Sequence, residues 1–311
     1  MGRDNPRLGI SLAFVCVIIL GIMPVVANSR PVAFGALSFA FFLSLWQLLF
    51  SLPLVVREAV SADKGIFGAD LAPSSRRRTI GVILVTGAIF GLSTYVYVLA
   101  VDKAGAVSAA IAMQAYLLFV ILWETLILKR RKTARELSFS LLLLVALYYL
   151  GTGGTWQIQG LSLWFVVALA VPFLWSVAHV IVKEVLDRTP ITPAQVTFFR
   201  VLVSTVFLGA VLAAVAGPRG ILDDLGHVGF QAFAMIMGLL YYIELIFWFY
   251  AVRYIAVSTA SAITVPAPAL TMVLAILFLG EGVQGYQVVG LGVVAASIYG
   301  VIFATPNLRR R

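Results

Sequence analysis

Ten apolar runs, separated by short polar stretches, dominate the pattern of hydrophobic and polar positions along this chain. A helix needs roughly 20 apolar residues to cross the hydrocarbon core of a bilayer, and the runs are close to that length. The pattern therefore predicts an all-α polytopic membrane protein with ten transmembrane helices. The predicted spans are about residues 9–28, 33–56, 80–101, 105–128, 137–152, 160–183, 194–215, 228–251, 257–279 and 285–304.

Composition agrees with this pattern and limits where function can reside. Hydrophobic residues make up 62% of the 311 residues and charged residues only 11%, which is too little polar surface for a soluble protein of this size. The loops between the runs are too short to hold a soluble catalytic or nucleotide-binding domain, so any function must lie among the helices. Cys16 is the single cysteine, which excludes a disulfide within the chain.

Basic residues predict the orientation of the spans. The net charge is +9, yet the clusters at 76–78 and 129–132 lie directly beside apolar runs and have no interleaved aromatic residues. We therefore expect them to be topological signals, and we expect no nucleic-acid partner. With both termini inside, most Lys and Arg residues fall in inner loops and only Arg30, Lys103 and Arg219 in outer ones. This bias predicts an N-in, C-in orientation.

A weak internal repeat divides the chain into two units, residues 1–152 and residues 153–311. An offset of 151 residues aligns, for example, residues 126–128 (LIL) with residues 277–279 (LFL). Each unit contains five predicted helices, and because five is odd, the second unit should be inserted upside down relative to the first. Inverted repeats of this kind are typical of alternating-access transporters, whose site lies near mid-depth between the repeats.

One segment resembles a known family. Residues 266–281 read PAPALTMVLAILFLGE, and residues 250–260, YAVRYIAVSTA, form a turn into that predicted helix. Both are similar to the ninth helix of the EamA branch of the drug/metabolite transporter superfamily, and the aromatic content and charge placement most resemble its YddG-type aromatic amino-acid exporters. The resemblance implies a cavity enclosed by the first, third, fourth, sixth, eighth and ninth helices. The first half departs from the motif, since Lys129-Arg130 replaces Gly-Glu.

Polar, aromatic and proline residues form matched stripes on the first and sixth predicted helices. Trp175 and His179 share one face of the sixth helix, and subtracting 151 from their numbers gives Pro24 and Asn28 on one face of the first. Each stripe contains a helix-breaking residue, Pro172 in the sixth helix and Pro24 in the first. Matched interruptions in the two halves point to a transport site, so we expect these stripes to line a pathway. Core or lipid-facing packing is the alternative for Trp175 alone.

A second pair of stripes lies on the eighth and third predicted helices. Tyr241, Glu244 and Trp248 share a face of the eighth helix, and Ser93 and Tyr97 lie at the corresponding positions of the third. The aromatic members of these stripes could stack on an aromatic or apolar cargo. We therefore include all five among the candidate cavity-lining residues.

Three ionisable residues inside the spans, Arg200, Glu244 and His179, lie about seven residues from the inner ends of their runs. Charge inside a membrane is costly, so these side chains should face the bundle interior or water. Two interpretations stay open: a structural Arg200–Glu244 pair, or a site in which Arg200 binds a cargo carboxylate and Glu244 an ammonium group or a proton. The family resemblance adds Gln114 and Pro266 as candidate lining residues.

These observations favour a carrier of the cell inner membrane that moves small organic solutes by alternating access. Export of aromatic or apolar amino acids or related metabolites is the leading interpretation, and a nucleotide-sugar or sugar-phosphate exchanger or a drug exporter of the same fold is the alternative. An integral-membrane enzyme is disfavoured, because His179 and His227 fall on opposite sides and no metal-ligand spacing occurs. We expect no cofactor or metal, a small-molecule substrate, the lipid bilayer as surroundings, proton coupling through Glu244 or His179, and a monomer or weak dimer.

Overall fold

All regular secondary structure in the described part of the chain is helical. The structure is a computed structural model, and it describes residues 5–31, 33–61, 64–68, 73–126 and 133–304. It does not describe the side chains of Glu124 and Ser258. The basic clusters at 129–132 and 309–311, on which the predicted orientation partly depends, lie outside the described residues.

Ten helical segments of the described chain are long and apolar enough to cross a membrane, which confirms the predicted number of spans. The fourth span combines helices α4 and α5, and the ninth combines α10 and α11. The α-helices are α1 (Pro6–Asn28), α2 (Ala36–Val60), α3 (Pro73–Ala104), α4 (Ala106–Ala112), α5 (Tyr116–Leu126), α6 (Ala134–Gly151), α7 (Leu163–Arg188), α8 (Pro193–Gly226, kinked at Gly217), α9 (Val228–Tyr254), α10 (Val257–Ile263), α11 (Ala267–Leu274) and α12 (Gly285–Ala304).

Large apolar side chains cover the outside of the bundle. Phe14, Val215 and Phe278 are 57%, 74% and 74% exposed. Many exposed large apolar side chains are unusual on a soluble monomer and suit a hydrocarbon environment. The polar ends of α3 and α8 extend beyond the predicted apolar runs, because a helix can continue into the polar region past the membrane core.

The fourth and ninth spans are interrupted at corresponding places. A 3₁₀ turn at Met113–Ala115 separates α4 from α5, and a turn at residues 264–266 separates α10 from α11. Both ends of α10 lie 151 residues after those of α4, the same offset as in the sequence repeat. The expected interruptions in the first and sixth spans do not occur, since α1 continues through Pro24 and α7 through Pro172.

The contacts between spans follow the same pattern in both halves of the chain. If each span is replaced by its counterpart in the other half, the same pairs of spans are in contact. Helix α1 packs along α9 as α7 packs along α3, α2 packs on α9 as α8 packs on α3, and α6 packs against α12. A twofold relation between the first and last five spans would produce this arrangement. The opposite insertion of the two halves and the N-in, C-in orientation stay predictions.

The end of the ninth span is tied to the start of the fourth. A π-helical turn at Ala275–Leu279 ends at Gly280, which has a left-handed conformation (φ 63°, ψ 22°) that glycine adopts without strain. The carboxylate of the next residue, Glu281, accepts hydrogen bonds from the N–H groups of Ala106 and Val107 at 3.2 and 3.4 Å. A negative charge at this helix N-terminus is favourable, so Glu281 stabilises the contact between the two halves.

Candidate functional site

A cavity lies at the centre of the bundle, between α1, α3, the interrupted fourth and ninth spans, α7, α8 and α9. The volume in which the centres of water molecules fit is about 90 Å³. This is room for roughly six to nine waters. Helix α8 also borders the cavity, through Arg200, although it is not among the helices that the family resemblance implies. The lining residues are Leu20, Met23, Pro24, Tyr97, Ala110, Met113, Gln114, Tyr116, Trp175, His179, Arg200, Tyr241, Glu244, Leu245, Trp248, Ser261, Thr264, Ala267 and Pro268.

Aromatic rings form much of the cavity wall. Tyr97 stacks on Trp175 with the ring centroids 6.0 Å apart, and it meets Tyr241 edge-to-face at 5.9 Å. Tyr116 meets Trp248 edge-to-face at 6.1 Å. Such contacts hold the rings in defined orientations and add stability beyond the area that they bury. The cavity therefore offers flat apolar surfaces to a bound molecule.

Trp175 is oriented from behind by a hydrogen bond. Its indole Nε1 donates to the hydroxyl of Ser93 at 2.9 Å, and that hydroxyl donates to the backbone carbonyl of Phe90 at 2.9 Å. Ser93 is fully buried and lies behind the cavity wall rather than in it. Its effect on the cavity is therefore to position Trp175.

The positive charge of Arg200 lies over an aromatic ring. The guanidinium carbon of Arg200 is 3.5 Å from the ring centroid of Phe90, a distance at which the ring face attracts the cation. Arg200 is only 5% exposed, and its Nε and Nη1 atoms have no hydrogen-bond partner among the described residues. The side chain thus carries charge and donor capacity that the protein leaves unused.

Glu244 places a carboxylate in the same cavity. Arg200 and Glu244 interact electrostatically, but no ion pair joins their side chains, both of which the structure describes. No hydrogen bond from a described residue reaches the Glu244 carboxylate; Cys16 donates to its backbone carbonyl at 3.7 Å. The predicted alternative of a locked Arg200–Glu244 pair is therefore absent from this structure, because Arg200 is held by the Phe90 ring.

Further polar atoms at the cavity lack protein partners. The Tyr241 hydroxyl, the Trp248 Nε1 and the His179 Nε2 are buried without a hydrogen bond among the described residues. The opposite nitrogen of His179, Nδ1, lies 3.0 Å from the Tyr116 hydroxyl, so Tyr116 fixes the orientation of that ring. Buried polar atoms are usually satisfied, and a cluster that is not satisfied requires an explanation. A polar ligand would provide one.

Nine of the twelve predicted site residues line the cavity. Their role in binding stays a prediction, because position alone does not test it. The nine are Pro24, Tyr97, Gln114, Trp175, His179, Arg200, Tyr241, Glu244 and Trp248.

The other three predicted residues lie elsewhere. Asn28 is the last residue of α1, beyond the cavity. Ser93 is behind Trp175, as described above. Pro266 is exposed and precedes α11, whereas Pro268, which is buried in the first turn of α11, lines the cavity. Because the backbone between α10 and α11 is irregular, α11 presents a different face to the cavity from the one that a continuous helix would present.

Sequence reasoning missed several lining residues, most notably Tyr116, Ser261 and Thr264. Tyr116 lies two residues after the predicted Gln114, and a tyrosine in mid-span was a usable signal. Thr264 lies 151 residues after Met113, and both line the cavity, so the repeat offset identifies either residue once the other is known. Among the described residues, no group of three or more His, Cys, Asp and Glu could hold a metal ion.

Comparisons with known proteins agree with this fold. Residues 162–303, under half of the chain, match the EamA-like transporter family. A solved structure described only as "Crystal structure of protein" is similar over 99% of this chain and 100% of its own, with a TM-score of 0.65 and 14% identity, and at that identity the likeness concerns the fold alone. No curated protein matches the chain significantly.

The ten spans support a multi-pass membrane protein, and its second half is similar to the EamA-like transporter family. The match points to a membrane transporter of small solutes. It does not distinguish the YddG-type subgroup from other members.

Proposed function

We propose that this protein is a carrier of the cell inner membrane that exports aromatic or apolar amino acids, or closely related metabolites, by alternating access. The observation that carries the proposal is the central cavity. It holds an unpaired guanidinium, Arg200, and an unpaired carboxylate, Glu244, between aromatic walls.

The two charged groups complement the two charges of an amino acid. Arg200 has free N–H groups, and a guanidinium can bind both oxygens of a carboxylate. The Tyr241 hydroxyl and Trp248 Nε1 are further donors without protein partners. Glu244 supplies the acceptor for an ammonium group. A cargo that lacks either charge would leave one of these buried groups unpaired, and that cost is the basis of discrimination.

The aromatic walls suit an apolar or aromatic cargo side chain. Trp175, Tyr97 and Tyr116 present ring surfaces to the cavity. Burying a side chain against such surfaces is favourable by roughly 25 cal/mol for each Å² of apolar area. The cavity, with room for roughly six to nine waters, is of the size of a small organic molecule.

Alternating access is supported by the interrupted spans. Transporters with inverted repeats commonly bind cargo where two helices are broken in corresponding positions. Here both breaks, at Met113–Ala115 and at residues 264–266, contribute lining residues. Breaks of this kind let half-spans move while the rest of each span stays packed. We expect the carrier to act as a monomer or weak dimer.

A nucleotide-sugar or sugar-phosphate exchanger fits less well. Such cargoes carry several negative charges, and Arg200 is the one Lys or Arg among the described cavity-lining residues, with Glu244 facing the same space. A multiply charged anion would meet a carboxylate and a single cation. A drug exporter of the same fold stays as the alternative, since aromatic walls also suit organic cations.

Counterflow in proteoliposomes tests the proposal. Vesicles loaded with unlabelled Phe, Trp, Tyr, Met or Thr should take up the same labelled amino acid, and the uptake should saturate with concentration. The matching amine without a carboxylate and the matching acid without an ammonium group should compete weakly. Absence of flux for all five amino acids contradicts the amino-acid proposal, and equal competition by the amine favours a drug exporter.

A further inference from the structure

The two ends of the bundle are joined by different polar links. At one end α1 and α3 end and α4 begins, and at the other α7 and α9 end and α10 begins. Gly9, near the start of α1, lies against Ile255, just past the end of α9, so the end of α1 and the end of α9 are on opposite sides of the cavity. We name the two sides the Asp102 end and the Lys183 end. We propose that the Asp102 end is closed more strongly, so that the carrier without cargo rests with its cavity open at the Lys183 end.

This inference rests on the proposed carrier function, because a carrier alternates between states that are open at one end or the other. The predicted orientation places the Asp102 end outside. A carrier that rests open at the Lys183 end then receives its cargo from the cytoplasm, which is the state that an exporter needs first.

Apolar packing is present at both ends of this structure and does not distinguish them. Ala100 and Val101, near the end of α3, are 0% exposed, and their counterparts 151 residues later, Ala251 and Val252 near the end of α9, are 0% and 2% exposed. Burial of these side chains therefore stabilises the closure of both ends to a similar extent. A preference for one end must come from the polar links.

An ion pair joins α1 to α3 at the Asp102 end. The Nη2 atom of Arg30, just past the end of α1, lies 2.8 Å from Oδ1 of Asp102 in the last turn of α3. The other carboxylate oxygen, Oδ2, lies 3.2 Å from Nζ of Lys103. Arg30 is only 6% exposed, so water replaces a lost carboxylate poorly at this position. Separating the two helices leaves a buried charge without its partner, and that state is costly.

A second carboxylate closes the same end. Glu281, after the ninth span, accepts hydrogen bonds from the first N–H groups of α4, those of Ala106 and Val107. Helix α4 reaches from this end to the cavity, which Ala110 lines. The link therefore holds in place a helix that lies between the cavity and the Asp102 end.

The repeat offset shows that neither carboxylate has a counterpart at the Lys183 end. The position 151 residues after Asp102 is Arg253, in the last turn of α9, and the position 151 residues before Glu281 is Arg130, which lies outside the described residues. An arginine side chain cannot accept a hydrogen bond, and its positive charge is unfavourable beside a helix N-terminus. Both carboxylates of the Asp102 end thus correspond to arginines in the other half of the repeat.

The link between α7 and α9 at the Lys183 end is a weaker one. The Nζ atom of Lys183 donates a hydrogen bond to the backbone carbonyl of Val252 at 2.7 Å. It also pairs with Asp187 at 3.1 Å, but Asp187 belongs to α7 itself, so that pair joins no second helix. The side chains of Lys183 and Asp187 are 24% and 42% exposed. When α7 and α9 separate, the ammonium group keeps Asp187 and gains water, so the separation is less costly than that of α1 and α3.

Helices α2 and α8 are linked alike at both ends. The Ser38 hydroxyl bonds to the Asp224 carboxylate at one end, and the Thr192 hydroxyl donates to the Glu58 carboxylate at the other. Gln195 also forms hydrogen bonds with the backbone of the connection between α2 and α3, which attaches that connection to α8 and not to α7 or α9. The matched hydroxyl–carboxylate links favour neither end. They make α2 and α8 a frame against which the other spans can move.

Labelling of a cysteine in the cavity measures which end is open. In a Cys16→Ala background, which removes the single native cysteine, Gln114→Cys places a thiol in the cavity wall. An impermeant maleimide is applied without cargo to intact cells and to inside-out vesicles. The exposed reporters Arg188→Cys and Gln157→Cys, each in the same background, identify the preparation in which each end is accessible.

The cavity thiol should react faster from the side on which Arg188→Cys is labelled, because that side is the Lys183 end. This expectation does not depend on which end faces the cytoplasm. Equal reaction from both sides, or faster reaction from the side of Gln157→Cys, would overturn the proposal.

Removing the ion pair should open the Asp102 end. Asp102→Asn keeps the shape of the side chain but removes its charge, so labelling of Gln114→Cys from that side should become about 3- to 30-fold faster. The matched control is Glu184→Gln, which removes an exposed carboxylate paired with Arg188 on the surface of α7. Its labelling should equal that of the parent.

Adding a carboxylate at the opposite end should have the same effect without removing a link. Arg253→Asp places a carboxylate beside the carbonyl that Lys183 already contacts, and labelling from the Asp102 end should again become faster. Arg253→Asn is the control, because it removes the arginine without adding a negative charge. Faster labelling in Arg253→Asp supports the proposal even where Asp102→Asn fails to assemble, and unchanged labelling in both variants would contradict it.

Flux tests the proposed function separately, since labelling requires no cargo. Saturable amino-acid counterflow with equal labelling from both sides overturns the inferred resting state and leaves the carrier function in place. Labelling from the Lys183 end without flux of any amino acid supports the difference between the two ends and contradicts the proposed amino-acid function.

Discussion

The guanidinium of Arg200 lies over the ring of Phe90 and not against the carboxylate of Glu244, although both charged side chains line one cavity. A ring face attracts a cation but, unlike a carboxylate, it does not occupy the N–H groups at the edge of the guanidinium. Arg200 therefore stays positioned and charged while its donors remain available. The same arrangement keeps the Glu244 carboxylate available for a ligand.

Replacing Arg200 tests whether it contacts cargo. Arg200→Gln should lower the affinity for amino acids on the order of 10- to 100-fold, because a hydrogen-bonded charge pair with the cargo carboxylate is lost. The measurement is the saturation curve of counterflow, and the matched control is the exposed Arg188→Gln. A variant that no longer assembles in the membrane would show that Arg200 is structural and would contradict the cargo contact.

Replacing Phe90 tests what holds Arg200 in place. Phe90→Leu removes the ring face while keeping an apolar side chain, so Arg200 becomes free to pair with Glu244. We expect cargo affinity to fall about 5- to 30-fold, the equivalent of a buried cation–π contact. The control Phe173→Leu removes a ring that packs on Phe119 and Trp123 outside the cavity. Equal affinities in the wild type and Phe90→Leu would contradict this account.

Among the elements, the interrupted fourth and ninth spans determine the shape of the site. Their breaks place Gln114, Tyr116, Thr264 and Pro268 at the cavity. The carboxylate of Glu281 joins the end of the ninth span to the first N–H groups of α4. The two irregular spans are thus linked directly at one end of the bundle.

The link between these spans predicts a loss of stability. Glu281→Gln keeps an acceptor oxygen but removes the negative charge from the N-terminus of α4, which should reduce stability by about 1 kcal/mol. Thermal unfolding in detergent measures the change, with the exposed Glu184→Gln as control. An unchanged melting temperature would show that the negative charge of Glu281 at the N-terminus of α4 contributes little. Substituting Gly105 should be more harmful, because its φ is +84° and a Cβ would lie 2.6 Å from Glu281 Oε1.

For the whole molecule, each contact between two spans has a counterpart between the corresponding spans of the other half. This arrangement gives the cavity its central position. Helices from both halves contribute to its wall. A carrier built in this way can reorient by moving one half against the other around a fixed site. Which end of the bundle faces the cytoplasm is determined by the loop charges.

Cysteine labelling tests the predicted orientation. In a Cys16→Ala background, Gln157→Cys lies in an exposed loop that the N-in, C-in orientation places outside, and Arg188→Cys lies at an exposed helix end that it places inside. An impermeant maleimide should label the first variant in intact cells and the second only after permeabilisation. The opposite pattern would reverse the orientation and the direction assigned to transport.

The sequence by itself determined the fold class and much of the site. The length and apolar character of each run are local properties, so they predict ten spans without knowledge of tertiary contacts. Helical spacing within a span is also local, which is why the face with Tyr241, Glu244 and Trp248 lies at the cavity as predicted. Because of the repeat offset, a lining face predicted on a helix of one half could also be predicted on the corresponding helix of the other half.

Only the tertiary structure decided how the faces meet. The irregular turn before α11 directs Pro268 and not Pro266 to the cavity, and close packing of α3 against α7 puts Ser93 behind Trp175. The partner of Arg200 is Phe90, more than 100 residues away in sequence. Such contacts depend on distances between helices that are remote along the chain, and helical periodicity contains no information about those distances.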